Sequence, residues 1–152
     1  MSHYIALVSD FHRAFNHPQR GIPSIPAKER ATLRIALLRE ELDELQAAVD
    51  ANDLVEVADA LADLQYVLSG AVLEFGLPFV FDDLFDEVHR SNMSKQWSQQ
   101  EAQDATGLNF VSASAGKYIG YNSIGKVVKP PSYSPADLQT ILEPYLNDAT
   151  NG

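Results

Sequence analysis

Glu41, Glu44, Glu56 and Asp59 are the residues whose type and spacing first suggest chemistry. They lie in "LLREELDELQAAVDANDLVEVADALADLQYVLSG", from Leu37 to Gly70, set among Leu, Ala and Val. From Glu40 to His89 the chain carries 14 Asp or Glu and no Lys or Arg. On a helix, residues three apart are separated by about 60° around the axis, so Glu41 shares a face with Glu44, and Glu56 with Asp59. A short turn at "AND" (Ala51 to Asp53) makes the two helices antiparallel neighbours, and the two pairs can then converge. Carboxylates gathered without a counter-charge either take up protons or hold cations between them. Oxygen ligands, in a chain with no Cys, suit Mg²⁺ or Mn²⁺ rather than zinc. The plainer alternative is a solvated acidic helix face. A helix N-terminus also favours acids through its dipole, which accounts for Glu56 better than for Asp63.

Several elements must position these acids. A first helix spans about His3 to Asn16, with Ile5, Leu7, Val8, Phe11, Ala14 and Phe15 at helical spacing. The loop "NHPQRGIPSIP" follows, three prolines and a glycine in eleven residues. The second helix opens at about Ala27 and runs to Asp50, with Leu38, Leu42, Leu45 and Val49 as its apolar seam. Asp53 is a candidate N-cap for the third helix, about Leu54 to Phe75, which "GLP" ends. Its seam reads Leu54, Val57, Leu61, Leu64, Leu68, Ala71 and Phe75, with Glu56, Asp59, Asp63 and Tyr66 as a stripe beside it. Because this helix is apolar nearly all round, it predicts burial by other helices or by a second subunit. A fourth helix runs from about Asp82 to Lys95.

The chain is expected to be one domain over 1–152. Its helical core covers about 3–97, followed by a polar connection at about 98–116. A hairpin from "KYIGYNSIGKVVK" and a last helix occupy about 117–147, with Ser134 as N-cap and Pro135 at the first helical position.

Composition sets the outer bounds. The chain has 152 residues, 45% hydrophobic and 21% charged, which suits a globular domain with a sizeable core. The net charge of -10 argues against a nucleic-acid partner, which needs a basic surface. No apolar run approaches the roughly 20 residues that span a bilayer. "MSHYIALVSDFHRAF" lacks the basic and small-residue signature of a signal peptide, so the expected location is cytoplasmic.

Glu-x-x-Glu followed on the next helix by Glu-x-x-Asp is a specific pairing, here in "EELDEL" and "EVADALADLQYVLSG". It resembles the all-α nucleoside triphosphate pyrophosphohydrolases: MazG-like proteins, dimeric dUTPases and phosphoribosyl-ATP pyrophosphohydrolases. "DFHRAF", "EVHRSNMSK" and "GKVVKPPSYSPADLQTIL" are similar to the phosphoribosyl-ATP pyrophosphohydrolase-like branch. The stretch from about Ser98 to Gly116 matches no such motif. The resemblance implies an all-α fold with a four-helix bundle core and an obligate homo-oligomer, dimer or tetramer. It implies Mg²⁺-dependent hydrolysis between the α- and β-phosphates of a nucleoside triphosphate, giving a monophosphate and pyrophosphate. Nucleotide-pool housecleaning is the leading role, with phosphoribosyl-ATP hydrolysis or dUTPase activity as alternatives.

Family roles carry over to Glu41, Glu44, Glu56 and Asp59 as metal ligands. Glu40 matches an extra acid that serves a second metal or the attacking water, and either Glu40 or Glu44 could orient that water. Asn92 and Lys95, i,i+3 on the fourth helix, are candidate phosphate donors. His12, Asn16, Asp63 and Tyr66 are candidate substrate contacts, each with a structural alternative: His12 and Asn16 by the base, Asp63 bonded to backbone or Lys95, Tyr66 filling the seam. Trp97 is open between stacking and packing. A di-iron bundle needs Glu-x-x-His on two helices, and only "DEVH" comes near. An acidic interaction module is the non-enzymatic rival.

Overall fold

A computed structural model describes residues 1–148 of the chain. The elements in order are α1 (His3–Ala14), α2 (Lys28–Asp50), α3 (Leu54–Glu74), α4 (Phe81–Met93), α5 (Gln99–Asp104), β1 (Asn109–Ser112), β2 (Tyr118–Tyr121), β3 (Val127–Val128) and α6 (Leu138–Asp148). Where the sequence suggested one domain, contacts divide the chain into two compact units. The first is Met1–Asp82 with the chain from Leu142, and the second is Asp83–Ile141. The fold is mostly helical with one small antiparallel sheet. Among the described residues no helix is long and apolar enough to cross a membrane.

In the first unit, α1 and α2 pack on α3. Asp53 caps α3 as its sequence position suggested: its Oδ1 accepts from the N–H groups of Val55 (3.0 Å) and Glu56 (3.2 Å). Asn52 turns the chain in the left-handed region, φ 54°. The loop after α1 is pinned to the end of α3 by Arg20 N–H to Leu73 O and Ser24 N–H to Phe75 O, both 3.0 Å. Gly76 is needed there, since its φ is +73° and a Cβ would lie 1.9 Å from the Ile22 carbonyl oxygen. The core gathers Ile5, Val8, Val72 and Leu73, with Leu77 and Phe81 packed against it.

The expected seams are corrected. On α3 the buried residues are Ala60, Ser69, Gly70, Val72, Leu73 and Glu74, whereas Leu54 (79%), Leu61 (52%) and Leu68 (39%) are exposed. On α2 the buried residues are Arg34 and Ala48, while Leu42 and Val49 are exposed. Small side chains mark where the helices approach. The α3 pattern, apolar on every side, did not single out that face.

In the second unit the hairpin forms as expected, β2 pairing antiparallel with β3. Asn122 organises its turn, accepting from Lys126 N–H (2.9 Å) through Oδ1, and Gly125 supplies φ +77°. The connection taken as irregular instead contributes α5 and β1, and β1 adds to β2 to make a sheet of order β1-β2-β3. Ser98 and Glu101 form a reciprocal capping box on α5. Trp97 is 5% exposed, donates to Val128 O at 2.8 Å and meets Phe110 edge-on, so it packs the sheet. The residues after Pro130 are strapped to α4. Ser91 Oγ bonds Tyr133 Oη (3.1 Å), Arg90 donates to Pro135 O (2.9 Å), Ser94 Oγ accepts from Ser134 N–H (3.0 Å), and Glu87 accepts from Asp137 N–H (2.8 Å). Glu87, Arg90, Ser91 and Ser94 form one face, through which "EVHRSNMSK" and "PPSYSPAD" meet in this chain. The last helix begins at Leu138, later than Pro135, with Asp137 accepting from Thr140 N–H (3.1 Å) in place of the expected Ser134 cap.

The contacts place α1–α3 in the first unit and α4, from Asp83 on, with the sheet in the second.

Candidate active site

Glu41 is the centre of the acidic group. Its Oε2 is the one buried side-chain polar atom without a hydrogen-bond partner among the described residues. Burial pushes its carboxyl above the ordinary value, and the charges of Glu44, Asp63, Glu40 and Asp59 push it further. Acids of α2 and α3 therefore act on one another across the helical hairpin. The turn sets which ones. Glu41 and Asp63 stand eleven residues either side of Asn52, so they are level. Glu44 and Asp59, eight and seven residues away, form the next level. Glu56 stands only four residues from Asn52, about 10 Å nearer the turn than Asp63 at 1.5 Å per residue. It is exposed and is not among the groups acting on Glu41.

The sequence reading had placed Asp63 beside the substrate and Glu56 among the ligands. Counting residues outward from the turn was the signal that brings Asp63 to Glu41. Glu40 and Glu44 also line an open groove along α2 with Ala36, Arg39, Asp43 and Ala47. Arg39 is the cation that a count starting at Glu40 leaves out.

A buried carboxylate oxygen with no donor, amid other carboxylates, is the environment that a hard cation relieves. The donor set, all oxygen, fits Mg²⁺ or Mn²⁺. As the side chains lie, no three of His, Asp or Glu surround a common point among the described residues. Glu40, Glu44, Glu56, Asp59 and Asp63 are exposed, and like charges on solvated stems diverge.

Beside the acids, α1 and α3 enclose a cleft of about 470 Å³ lined by Tyr4, Leu7, Leu61, Ala62, Gln65 and Tyr66, among others. Ala62 and Tyr66 flank Asp63 in sequence, so the cleft adjoins the acidic stripe. Tyr66 is half-exposed and meets Phe11 edge-on at 5.7 Å, and Phe11 stacks on Phe15 at 4.3 Å. Asn16 is exposed at the end of α1 in the left-handed region.

His12 has another setting. It is 1% exposed, and both ring nitrogens are engaged. Nδ1–H donates to Pro18 O (2.8 Å), so Nε2 accepts from Arg34 Nη2 (3.1 Å). Arg34 in turn bonds Glu74 through Nε (2.8 Å) and Nη2, and Arg30 holds the same carboxylate (Nε to Oε2, 2.9 Å). Burial holds His12 below its ordinary pKa, and the Arg34 charge lowers it further. Burial alone would raise Glu74, but the bonds from Arg30 and Arg34 outweigh it and hold Glu74 low. The network closes through Gly70, where a Cβ would stand 2.7 Å from Arg34 Nη1. This ion pair, between residues forty apart in the chain, leaves no local sequence signal.

Asn92 and Lys95 lie in the second unit. Lys95 Nζ donates to Asn92 Oδ1 at 2.6 Å.

A helical hairpin with acids on both arms is in keeping with the all-α, MazG-like nucleotide pyrophosphohydrolases, the superfamily to which the matching family model belongs. Within that class, the family model described as phosphoribosyl-ATP pyrophosphohydrolase matches residues 8–92, more than half of the chain. The chain belongs to this family, whose activity is that of a pyrophosphohydrolase, a hydrolase of phosphoric anhydrides. It is also similar to an uncharacterized protein of Acanthamoeba polyphaga mimivirus, 35% identical over 74 residues, 46% of this chain and 30% of the relative. The chain thus spans less than a third of the curated relative that it matches.

Proposed function

We propose that the protein is a Mg²⁺-dependent nucleoside triphosphate pyrophosphohydrolase, releasing a nucleoside monophosphate and pyrophosphate. The observation that carries this reading is the donorless, buried Oε2 of Glu41 at the level of Asp63. Glu41, Glu44, Asp59 and Asp63 would hold the cation, with Glu56 entering from nearer the turn. When bound, the cation supplies charge neutralisation of the phosphates and Lewis acidity at the scissile phosphorus. Glu40, on the exposed side of α2, would orient the attacking water. The α1/α3 cleft is of nucleoside size, with Tyr66 as its aromatic wall. Family membership supports the reaction class but leaves the base and sugar open, so phosphoribosyl-ATP is the second reading.

An oligomer accompanies this reading. Leu54, Val55, Leu61 and Leu68 expose an apolar stripe along α3 that a second copy would cover.

The test is a product assay with a panel of nucleoside triphosphates and phosphoribosyl-ATP, in Mg²⁺, Mn²⁺ or chelator. The expected products are monophosphate and pyrophosphate, lost on chelation. Diphosphate and phosphate, or turnover that survives chelation, would overturn the assignment.

A further inference from the structure

The α1/α3 cleft is mostly apolar, but Gln65 and Ser69 bring an amide and a hydroxyl to its wall. The two bond to each other. Ser69 Oγ–H donates to the backbone carbonyl of Gln65 (2.8 Å), and Gln65 Nε2 donates to Ser69 Oγ (3.1 Å). Because the hydroxyl proton is committed to that carbonyl, Ser69 can only accept from the Gln65 side chain. This fixes which way round the amide stands: Nε2 faces Ser69, and Oε1 cannot take its place. Ser69 is 1% exposed, which shields the bond from water. Gln65 itself is exposed, its Oε1 has no hydrogen-bond partner among the described residues, and Nε2 keeps a second hydrogen. The open edge of the amide therefore offers one acceptor and one donor in a fixed order.

That order has a direction. α3 leads away from the turn at Asn52, so Ser69 stands about 6 Å further from the acids than Gln65, at 1.5 Å per residue. Nε2 is drawn to that far end, which leaves Oε1 on the side of Asp63. Tyr66 is the next residue, about 100° around the helix, so one side chain can meet the face of a flat ring while the other meets its edge.

We infer, on the nucleotide reading of this cleft, that Gln65 reads the base edge and selects keto over amino bases, with Ser69 as the residue that holds its amide in position. A nucleotide whose phosphates gather at the acids enters with its sugar toward Asp63 and the far edge of its base toward Ser69. In pyrimidines and purines alike, the 4- or 6-substituent stands further from the sugar than the ring nitrogen beside it. That substituent meets Nε2, a donor, and the ring nitrogen meets Oε1, an acceptor. The match is a carbonyl beside a ring N–H, as in uracil and hypoxanthine. Cytosine and adenine carry the reverse pair, an amino group beside a bare nitrogen, and set donor against donor and lone pair against lone pair. A site that pairs with one edge rejects the reversed edge, because its polar groups are left unpaired. Keto selection separates the leading reading from phosphoribosyl-ATP, whose base is adenine.

Two matched pairs test it on the full chain: uridine against cytidine, and inosine against adenosine, which differ within each pair only at this edge. Calorimetric titration with the four 5′-monophosphates in Mg²⁺ reads binding, and kcat/KM for the four triphosphates reads turnover. In each pair the keto member should be favoured about tenfold. Gln65→Leu should bring both ratios near one. Ser69→Ala, a change that helix propensity favours, should do the same with Gln65 still present, because the freed amide can turn over. A purely structural role would weaken all four nucleotides alike and leave the ratios standing. No binding and no turnover of any of the four, a preference for the amino members, or ratios that survive both variants would overturn the inference. Keto-selective binding without turnover in any metal would sink the hydrolytic reading alone, and metal-dependent turnover without keto preference would sink the role of Gln65 alone.

Discussion

Gly70→Ala is the substitution that most directly tests the buried network. Its methyl would lie 2.7 Å from Arg34 Nη1, 3.3 Å from Arg34 Cζ and 3.2 Å from His12 Nε2. Helix propensity alone favours alanine by about 1 kcal/mol. A guanidinium tip usually swings away at little cost. This one is held by Glu74 through Nε and Nη2 and by His12, and Arg34 is 5% exposed. Making room costs about 1–3 kcal/mol of overpacking. Loosening a charged hydrogen bond to Glu74, itself 1% exposed, costs about 1.5–3 kcal/mol more. Against the propensity gain, a net loss of about 1.5–5 kcal/mol remains, which for this chain length lowers Tm by about 3–20 °C. Thermal unfolding followed by far-UV circular dichroism reads it. In an Arg34→Leu background the same glycine substitution should be neutral or stabilising, since the clash has gone. A Tm that is unchanged or raised in the native background would refute the argument.

Three further outcomes follow from the same contacts. Urea stability should fall as pH drops below 6.5: the folded His12 pKa lies below that value, so the unfolded chain binds the proton first. The slope is at most about 1.4 kcal/mol per pH unit for this group, and a second loss follows below 4.5 as Glu74 protonates and leaves its arginines; stability that is flat or rising between pH 7.5 and 5.5 would contradict it. Gly120→Ala brings a Cβ to 2.9 Å from Phe110 and 3.0 Å from Trp97 Nε1, so it should destabilise the second unit by about 1–3 kcal/mol. The chain's single Trp makes its fluorescence the readout, and an unshifted transition counts against this packing. In the product assay, Asp63→Asn should cost at least as much turnover as Glu56→Gln, because Asp63 is level with Glu41; full activity in Asp63→Asn would return it to a structural role.

The sequence by itself determined what is local. Five helices, the Asp53 cap and the Asn122 hairpin were legible, because helical spacing, capping and turn chemistry act over a few residues. It also indicated the family, through the acids and "DFHRAF", which lie within the matched residues 8–92, whereas "GKVVKPPSYSPADLQTIL" lies outside them. Only the tertiary structure decided which face of α3 is buried, since a helix apolar on all sides has no unique face and the small residues Ala60, Ser69 and Gly70 take the contact. It also decided that Glu41 is the acid whose carboxylate oxygen is buried without a donor, whereas its level with Asp63 can be counted from the turn at Asn52. The pairing of β1 with β2, and the Arg34 contacts that tie His12 to Glu74, belong to the same group. Each joins residues distant in the chain, and such contacts follow from packing rather than from any local pattern.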